Sequence, residues 1–336
     1  MKRHLSVLIL LIVTILLTAC GEKSQEDVLS KLEDTMGKMN GYKAEATMHM
    51  NTGQEEQNFN IGIWHKKNDM YRVALKNDQD EKGNQIILKN KDGVFVLTPA
   101  LDKSFKFQSE WPDNSSQPYL YQSLVKDIKE DKEADFESTE SAYIFKTKTN
   151  YQSNNNLPYQ EIHFDKKTYT PLLVKVKDKD KNTLVEVKFT TFDTEAKFAE
   201  DDFSMDKNMA KGESETTASA EVQDDTLTVL FPSYLAGAEL TEKKEVDLEK
   251  GKRVILSFSG EKNFTLVEEK SEAITTMSAP KEVSGDIVNL GNAVGALSEN
   301  TIEWTYDGVD FILASEELTR EELIQVAQSV QNKEVK

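Results

Sequence analysis

Cysteine occurs once in this chain, at Cys20, and histidine only at His4, His49, His65 and His163. One thiol cannot form an intrachain disulfide or a Cys-rich zinc cage. The histidines are far apart, with no His-x-x-x-His pair to set two imidazoles on one helix face. We therefore expect no metal and no cofactor, and read His49 and His163 as ordinary strand residues. No Gly-x-Ser-x-Gly elbow raises a nucleophile, and no Ser/His/Asp order suggests itself. The stretch DKDKNT, Asp178 to Thr183, opens like a calcium loop. That loop needs Gly at its sixth position and Glu at its twelfth, which here are Thr183 and Phe189, so it reads as a hairpin turn. GNAVG, Gly291 to Gly295, lacks the strand–glycine–helix spacing of a phosphate loop and also reads as a turn. The expectation is a protein that is not an enzyme.

Positive charge is in short supply as well. Arginine is confined to Arg3, Arg72, Arg253 and Arg320, and 41 basic residues face 59 acidic ones for a net charge of −18. A chain this acidic repels phosphates, which argues against nucleic acid and anionic lipid surfaces as partners. Long apolar runs are missing too, with one exception. Leu5 to Leu17 is 13 residues without charge, preceded by Lys2 and Arg3. As a helix it would reach about 20 Å, short of the roughly 30 Å hydrocarbon core. A basic start, a short apolar middle and small residues after it describe a secretory signal over residues 1–20.

That run ends at Leu17-Thr18-Ala19-Cys20, which resembles the bacterial lipobox. The resemblance implies cleavage before Cys20, whose sulfur then carries a diacylglycerol and becomes the mature N-terminus. Each buried methylene is worth about 0.8 kcal/mol, so two palmitate-type chains anchor far better than one. The expected address is the extracytoplasmic face of the cell membrane. The bias towards lysine and asparagine, typical of AT-rich genomes, fits a Gram-positive bacterium. Cleavage would remove two basic residues and no acidic ones, for a mature net charge of −20.

The mature length allows two domains. A stretch without aromatics, residues 209–225 (MAKGESETTASAEVQDD), reads as a linker. Residues 24–206 precede it. Ser24 with Asp27 three on starts a helix whose face is Val28, Leu29, Leu32, Met36 and Met39, with Gly41 as its C-cap. The period then changes to two. Tyr42, Ala44, Ala46, Met48 and Met50 alternate, as do Phe59, Ile61 and Ile63, then Tyr71, Val73 and Leu75. Asn90-Lys91-Asp92-Gly93 turns another hairpin, and Tyr121, Leu124, Val125 and Ile128 return to helical spacing. About eleven strands joined by tight turns, with two or three helices, predict an open barrel or strongly curved antiparallel sheet. Residues 221–333 read as a small α+β domain. Its strands are LTVLFPSYLAGAEL, KRVILSFSG and NFTLVEEK, followed by a hairpin turning at Asp307-Gly308. A helix capped by Thr319 and Glu322 then buries Leu323, Val326, Ala327 and Val330.

GIWHKKNDMYRV, with its Gly-x-x-Trp strand, turn and aromatic-Arg pair, resembles a signature of the LolA/LolB/LppX-like lipoprotein-carrier superfamily. HFDKKTYTPLLVKVKDKDKNTLVEVKFTTFDTEAKFAEDDFSMD is similar to that family's closing hairpins. Taken whole, the chain resembles sporulation-associated lipoproteins of Bacillus-type bacteria that carry such a domain. The resemblance implies an α+β fold: an open, strongly curved antiparallel β half-barrel covered by helices, plus a small C-terminal α+β domain. It also implies a cavity between sheet and helices that takes acyl chains. Where the carriers have an Arg-Pro pair after the Trp strand, with the Arg latching the lid, this chain has Lys67 and Asn68. Lysine lacks the planar bidentate fork of arginine.

Met36, Met39, Met48, Met50 and Met70 surround the first helix and its neighbouring strands. Methionine fills irregular cores and also makes pliable walls for variable ligands. The aromatics Trp64, Tyr71, Phe95, Phe105 and Phe107 allow the same two readings. As ligand-lining residues we select Met36, Met48, Ile63, Trp64, Phe95 and Phe107. The expected function is a membrane-anchored lipoprotein that binds a lipid, or the acyl chains of a lipoprotein, in cell-envelope or sporulation processes. The alternative is a structural or regulatory module engaging an envelope protein partner.

Overall fold

The computed structural model describes residues 23–51, 56–77, 80–113, 115–151, 157–210, 227–248, 251–270, 280–290, 293–306 and 308–331. Cys20, the apolar run before it and residues 211–225 of the expected linker lie outside them. Among the described residues the chain is mostly β, with few helices and open sheets.

Helix α1, Gln25–Lys38, begins with a capping box: the Asp27 N–H donates to Ser24 Oγ and the Ser24 N–H donates to the Asp27 carboxylate. It buries Val28 and Leu32. Gly41 does not cap it. The helix ends at Met39 in extended conformation, and Gly41 opens the first strand. A Cβ on Gly41 would collide with the His65 carbonyl oxygen and come within 2.8 Å of the Phe198 ring. Close approach of two backbones is what demands glycine there.

The large sheet begins with β1 (Gly41–Met50), β2 (Gln57–Lys66), β3 (Met70–Asn77), β4 (Asp80–Asn90), β5 (Gly93–Thr98) and β6 (Lys103–Phe107). After helix α2 (Tyr121–Glu130) come β7 (Asp135–Ser138), β8 (Ala142–Lys148), β9 (Tyr159–Asp165), β10 (Pro171–Lys177) and β11 (Thr183–Asp193). The order β6-β5-β4-β3-β2-β1-β11-β10-β9-β8-β7 is antiparallel throughout, so the first and last strands meet in the middle. Asn68 and Asp69 both adopt left-handed backbone angles (φ 71° and 63°) in the tight turn between the paired residues Lys66 of β2 and Met70 of β3.

This topology explains where α2 sits. The chain leaves β6 at one edge and must reach β7 at the other, and α2 lies on that crossing. It packs against α1 on the face that presents Tyr42, Ile63, Val73, Val96 and Phe164. The opposite face carries Leu88, Phe95 and Leu97. Phe203 covers them, just before the short helix α3 (Met205–Met209).

The remaining strands are β12 (Phe231–Pro232), β13 (Ala238–Asp247), β14 (Lys252–Gly260), β15 (Phe264–Lys270), β16 (Lys281–Val283), β17 (Asp286–Asn289), β18 (Val294–Leu297), β19 (Thr301–Tyr306), β20 (Val309–Ala314) and β21 (Val330–Gln331). Seven of them form a second sheet, ordered β13-β14-β15-β20-β19-β18-β17. Helix α4 (Arg320–Gln328), with its Thr319–Glu322 capping box, packs Leu323, Val326 and Ala327 into that sheet's core with Leu256, Leu266 and Phe311. The apolar stretch from Leu227 is not the long strand its sequence suggests. Phe231 and Pro232 pair with β21, and only the last residues, Ala238 to Leu240, enter a longer strand, β13. The Leu230 N–H instead donates to the buried Glu268 carboxylate at 2.9 Å, so a side chain replaces the missing ladder. Strand β16 leaves its neighbours altogether and adds in parallel to the β6 edge of the large sheet.

Candidate functional site

The helix-covered face is held by polar contacts as well as packing. Helix α2 has Leu120 at its N-cap, which offers no side-chain acceptor. The Tyr42 hydroxyl of β1 takes that place: it accepts the Tyr121 N–H at 3.2 Å and donates to Gln122 Oε1 at 3.1 Å. The Gln122 amide nitrogen lies 3.0 Å from His65 Nδ1, and the His65 ring sits between Tyr42 and Tyr71, with centroids 5.3 and 4.8 Å away. Burial pushes the His65 imidazole down to about 4, which keeps it neutral near pH 7. Further along α2, Gln160 Nε2 donates to the buried Asp127 carboxylate at 2.6 Å, and burial pushes that carboxyl up to about 6. Lys67 Nζ donates to the Gly37 carbonyl at 3.1 Å, placing a cation near the C-terminal end of α1.

Beyond these contacts, at the boundary of the two sheets, lies a cavity of about 90 Å³. Its floor is Met48, Met50, Ile87 and Val185 of the large sheet, and Tyr119 and Leu157 close one side. Its roof is Ile287 and Val288 of β17, Val294 of β18 and Ile324 of α4. The polar groups at its rim are engaged with one another. The Tyr119 hydroxyl donates to Gln117 Oε1 (2.9 Å), Gln328 Nε2 donates to the Asn289 carbonyl (3.3 Å), and Arg320 pairs with Asp286 (3.0 Å). What such an arrangement can do is take apolar surface out of water. Its volume is that of about three waters, below the roughly 300–1,000 Å³ of ordinary small-molecule pockets.

The six residues selected from sequence are dispersed. Met48 lines the cavity. Ile63 and Phe107 are buried in the core beneath the helices, and Met36 packs half-buried at its margin. Trp64 and Phe95 are corrections: both lie on the opposite face, with Leu88, Leu97 and Phe203. Strand parity is the reason. Ile61, Ile63 and His65 point to the helices, which sends Trp64 the other way, and Phe95 alternates likewise between Val94 and Val96. There Trp64 is held between Lys43 Nζ (4.3 Å from the ring centroid) and the Arg72 guanidinium (4.6 Å). Met50 belonged to the methionine cluster visible in sequence. Ile87, Val185 and the roof carry no local signal, because distant strands bring them together.

Among the described residues no group of three or more His, Cys, Asp or Glu is arranged to hold a metal ion. Among those residues no helix is long and apolar enough to cross a membrane.

The family described as Sporulation protein YdcC-like matches residues 1–203. The Sporulation protein YdcC of Bacillus subtilis (strain 168) is 46% identical over 327 residues, covering 97% of this chain and 96% of that one. The chain belongs to the YdcC-like sporulation protein family. Solved structures similar to this YdcC-like protein include the Pseudomonas aeruginosa MucA/MucB complex, with 17% identity, TM-score 0.34, and coverage of 92% of this chain and 99% of that one. A LolA superfamily protein from Nitrosomonas europaea is another, with 8% identity, TM-score 0.32, and coverage of 55% and 100%. In the YdcC-like chain, the matched residues 1–203 include the cavity floor, whereas the roof lies wholly outside them.

Proposed function

We propose that this YdcC-like protein is a lipid-anchored, extracytoplasmic component of the cell envelope, used in sporulation to hold a hydrophobic ligand, and that it is not an enzyme. The large sheet acts as a half-barrel, and the residues after the linker form a second, smaller domain. Cys20 carries the anchor. The observation behind this reading is the apolar cavity, floored by Met48, Met50, Ile87 and Val185, in which the polar groups at the rim are already paired. Binding is burial: each 100 Å² of apolar ligand surface removed from water is worth about 2.5 kcal/mol. Two methionines in the floor adapt to chains of different shape.

The test is solvent extraction and mass spectrometry of protein purified from native membranes, beside a Val185→Trp variant whose indole fills the cavity. The expected result is a stoichiometric lipid or acyl compound in the first and its depletion in the second. Native protein that returns no such compound overturns the reading.

The small size of the cavity favours a second reading, in which the protein is an interaction module for an envelope protein. Crosslinking in sporulating cells separates the two, since a stable protein partner without extracted lipid supports the second.

A further inference from the structure

The cavity's floor and roof belong to different sheets, and few contacts fasten one to the other. Each sheet is itself held by long ladders, such as the ten paired positions of β1 on β2. Among the described residues, three fasteners at the seam stand out. The first is Gln85, whose amide is buried and behaves like a piece of strand: Oε1 accepts the Val294 N–H at 2.7 Å and Nε2 donates to the Val294 carbonyl at 3.4 Å. The second is β16, three residues in parallel register on β6 (Lys281 on Phe105, Glu282 on Lys106, Val283 on Phe107), with the Gln108 N–H donating to the Val283 carbonyl at 3.2 Å. The third is the Lys103–Asp310 ion pair. The apolar groups that cross from the second part into the large sheet's core are few and small, chiefly Val283, Val294 and Ala296, with Ile287 half-buried against it. The main core of the second sheet, around Leu256, Leu266, Phe311 and Leu323, is separate. Parting the seam therefore takes only those few groups from the large sheet's core and leaves the main core of the second sheet intact.

We propose that the second sheet with α4 is a lid on the cavity, and that a single-chain amphiphile too large for the 90 Å³ void binds by lifting it. The proposal rests on the hydrophobic-ligand reading above for its ligand and on the seam geometry for its motion. An acyl chain entering over Met48 and Met50 takes the place of Val294 and Ile287 against the floor, so the apolar surface uncovered by lifting is covered again. A ligand shifts such an equilibrium only through its different affinity for the two states. Here the difference is built in, because the closed state has no room. Lid closure and ligand binding then oppose one another, by the same factor in each direction.

The test uses the full chain carrying Cys20→Ser, whose only thiols are then an engineered pair, Lys106→Cys with Glu282→Cys. These are paired neighbours on β6 and β16 whose charged ends lie 3.6 Å apart at the surface. Neighbouring strands run about 4.8 Å apart, within disulfide range. Only two residues separate β16 from β17, so the bridge ties down the roof. The probe is a fluorescent 16-carbon fatty acid. The expected result is uptake at least about tenfold weaker in the oxidised protein than in the same protein reduced. Measurable uptake that is equal in both forms overturns the lid.

A ligand-free measurement decides the matter independently. Hydrogen exchange of the unmodified chain should show the Val294 and Gln108 amides opening together, at least about tenfold faster than amides inside β14 and β15. Seam amides as protected as those interiors overturn the lid whether or not the fatty acid binds. If the reduced protein takes up no fatty acid while the seam amides open together, the ligand reading fails and the lid stands.

Discussion

The two faces of the large sheet are finished in different ways by the same strands. On one face, Phe203 and its neighbours cover Leu88, Phe95 and Leu97, while Trp64 lies between two cations nearby. That surface is sealed locally, by chain that follows directly on β11. The other face is covered by helices held through buried polar groups, and its far end is roofed by residues about a hundred positions later in the chain. A face sealed by apolar contact is built to stay shut. A face closed by hydrogen bonds and a distant roof has parts that can be changed separately, and the proposed ligand is assigned to that face for this reason.

The sharpest way to break this contrast is through its tightest point. Phe203→Ala should cost about 3–5 kcal/mol in urea unfolding, as expected of a fully buried aromatic. Met36→Ala, on the half-buried margin of the helix face, should cost clearly less. Equal costs would remove the distinction.

The next test is acid. The His65 imidazole is held down to about 4 in the folded state against about 6.5 when free, so its contribution to stability is present above pH 6.5 and lost as pH falls through 4. Urea unfolding should lose about 2–3 kcal/mol more between pH 7 and pH 4 in the native chain than in His65→Gln.

Asp127 works in the opposite direction. Its carboxyl is raised from 3.8 to about 6, so its contribution is present below pH 3.8 and lost as pH rises through 6. Asp127→Asn keeps the acceptor for Gln160 and should gain about 1–3 kcal/mol at pH 8, with the gain vanishing towards pH 4. A pH-independent difference would mean that the carboxyl is not buried as described.

The smallest effect belongs to the sealed face. Arg72 stacks on Trp64 and its Nε donates to Asn208 Oδ1 at 2.5 Å. Arg72→Lys should cost about 0.5–1 kcal/mol, with no pH dependence between 4 and 8.

Much of the first sheet was legible because alternation is local. Tyr42, Ala44, Ala46, Met48 and Met50 announce β1 and its buried side without help from elsewhere. Both capping boxes were legible for the same reason, their residues being three apart. Trp64 was selected beside Ile63 as a lining residue, although the alternation of Ile61 and Ile63 sends it to the other face. Gly41 shows a different limit. Its glycine answers to the His65 carbonyl and Phe198, neither of them near in sequence, and a helix stop was the nearest local explanation. The cavity shows the limit most clearly, since its floor is visible as alternation while its roof depends on how β16 and Gln85 dock. Docking of that kind leaves no periodic trace.

One detail of α2 constrains how its own covering could move. Its opening turn is completed by a phenol belonging to β1, because Leu120 supplies nothing. Peeled away from the strands, this segment would lose its start signal and fray. Its detachment would be a partial melting rather than the swing of a rigid rod.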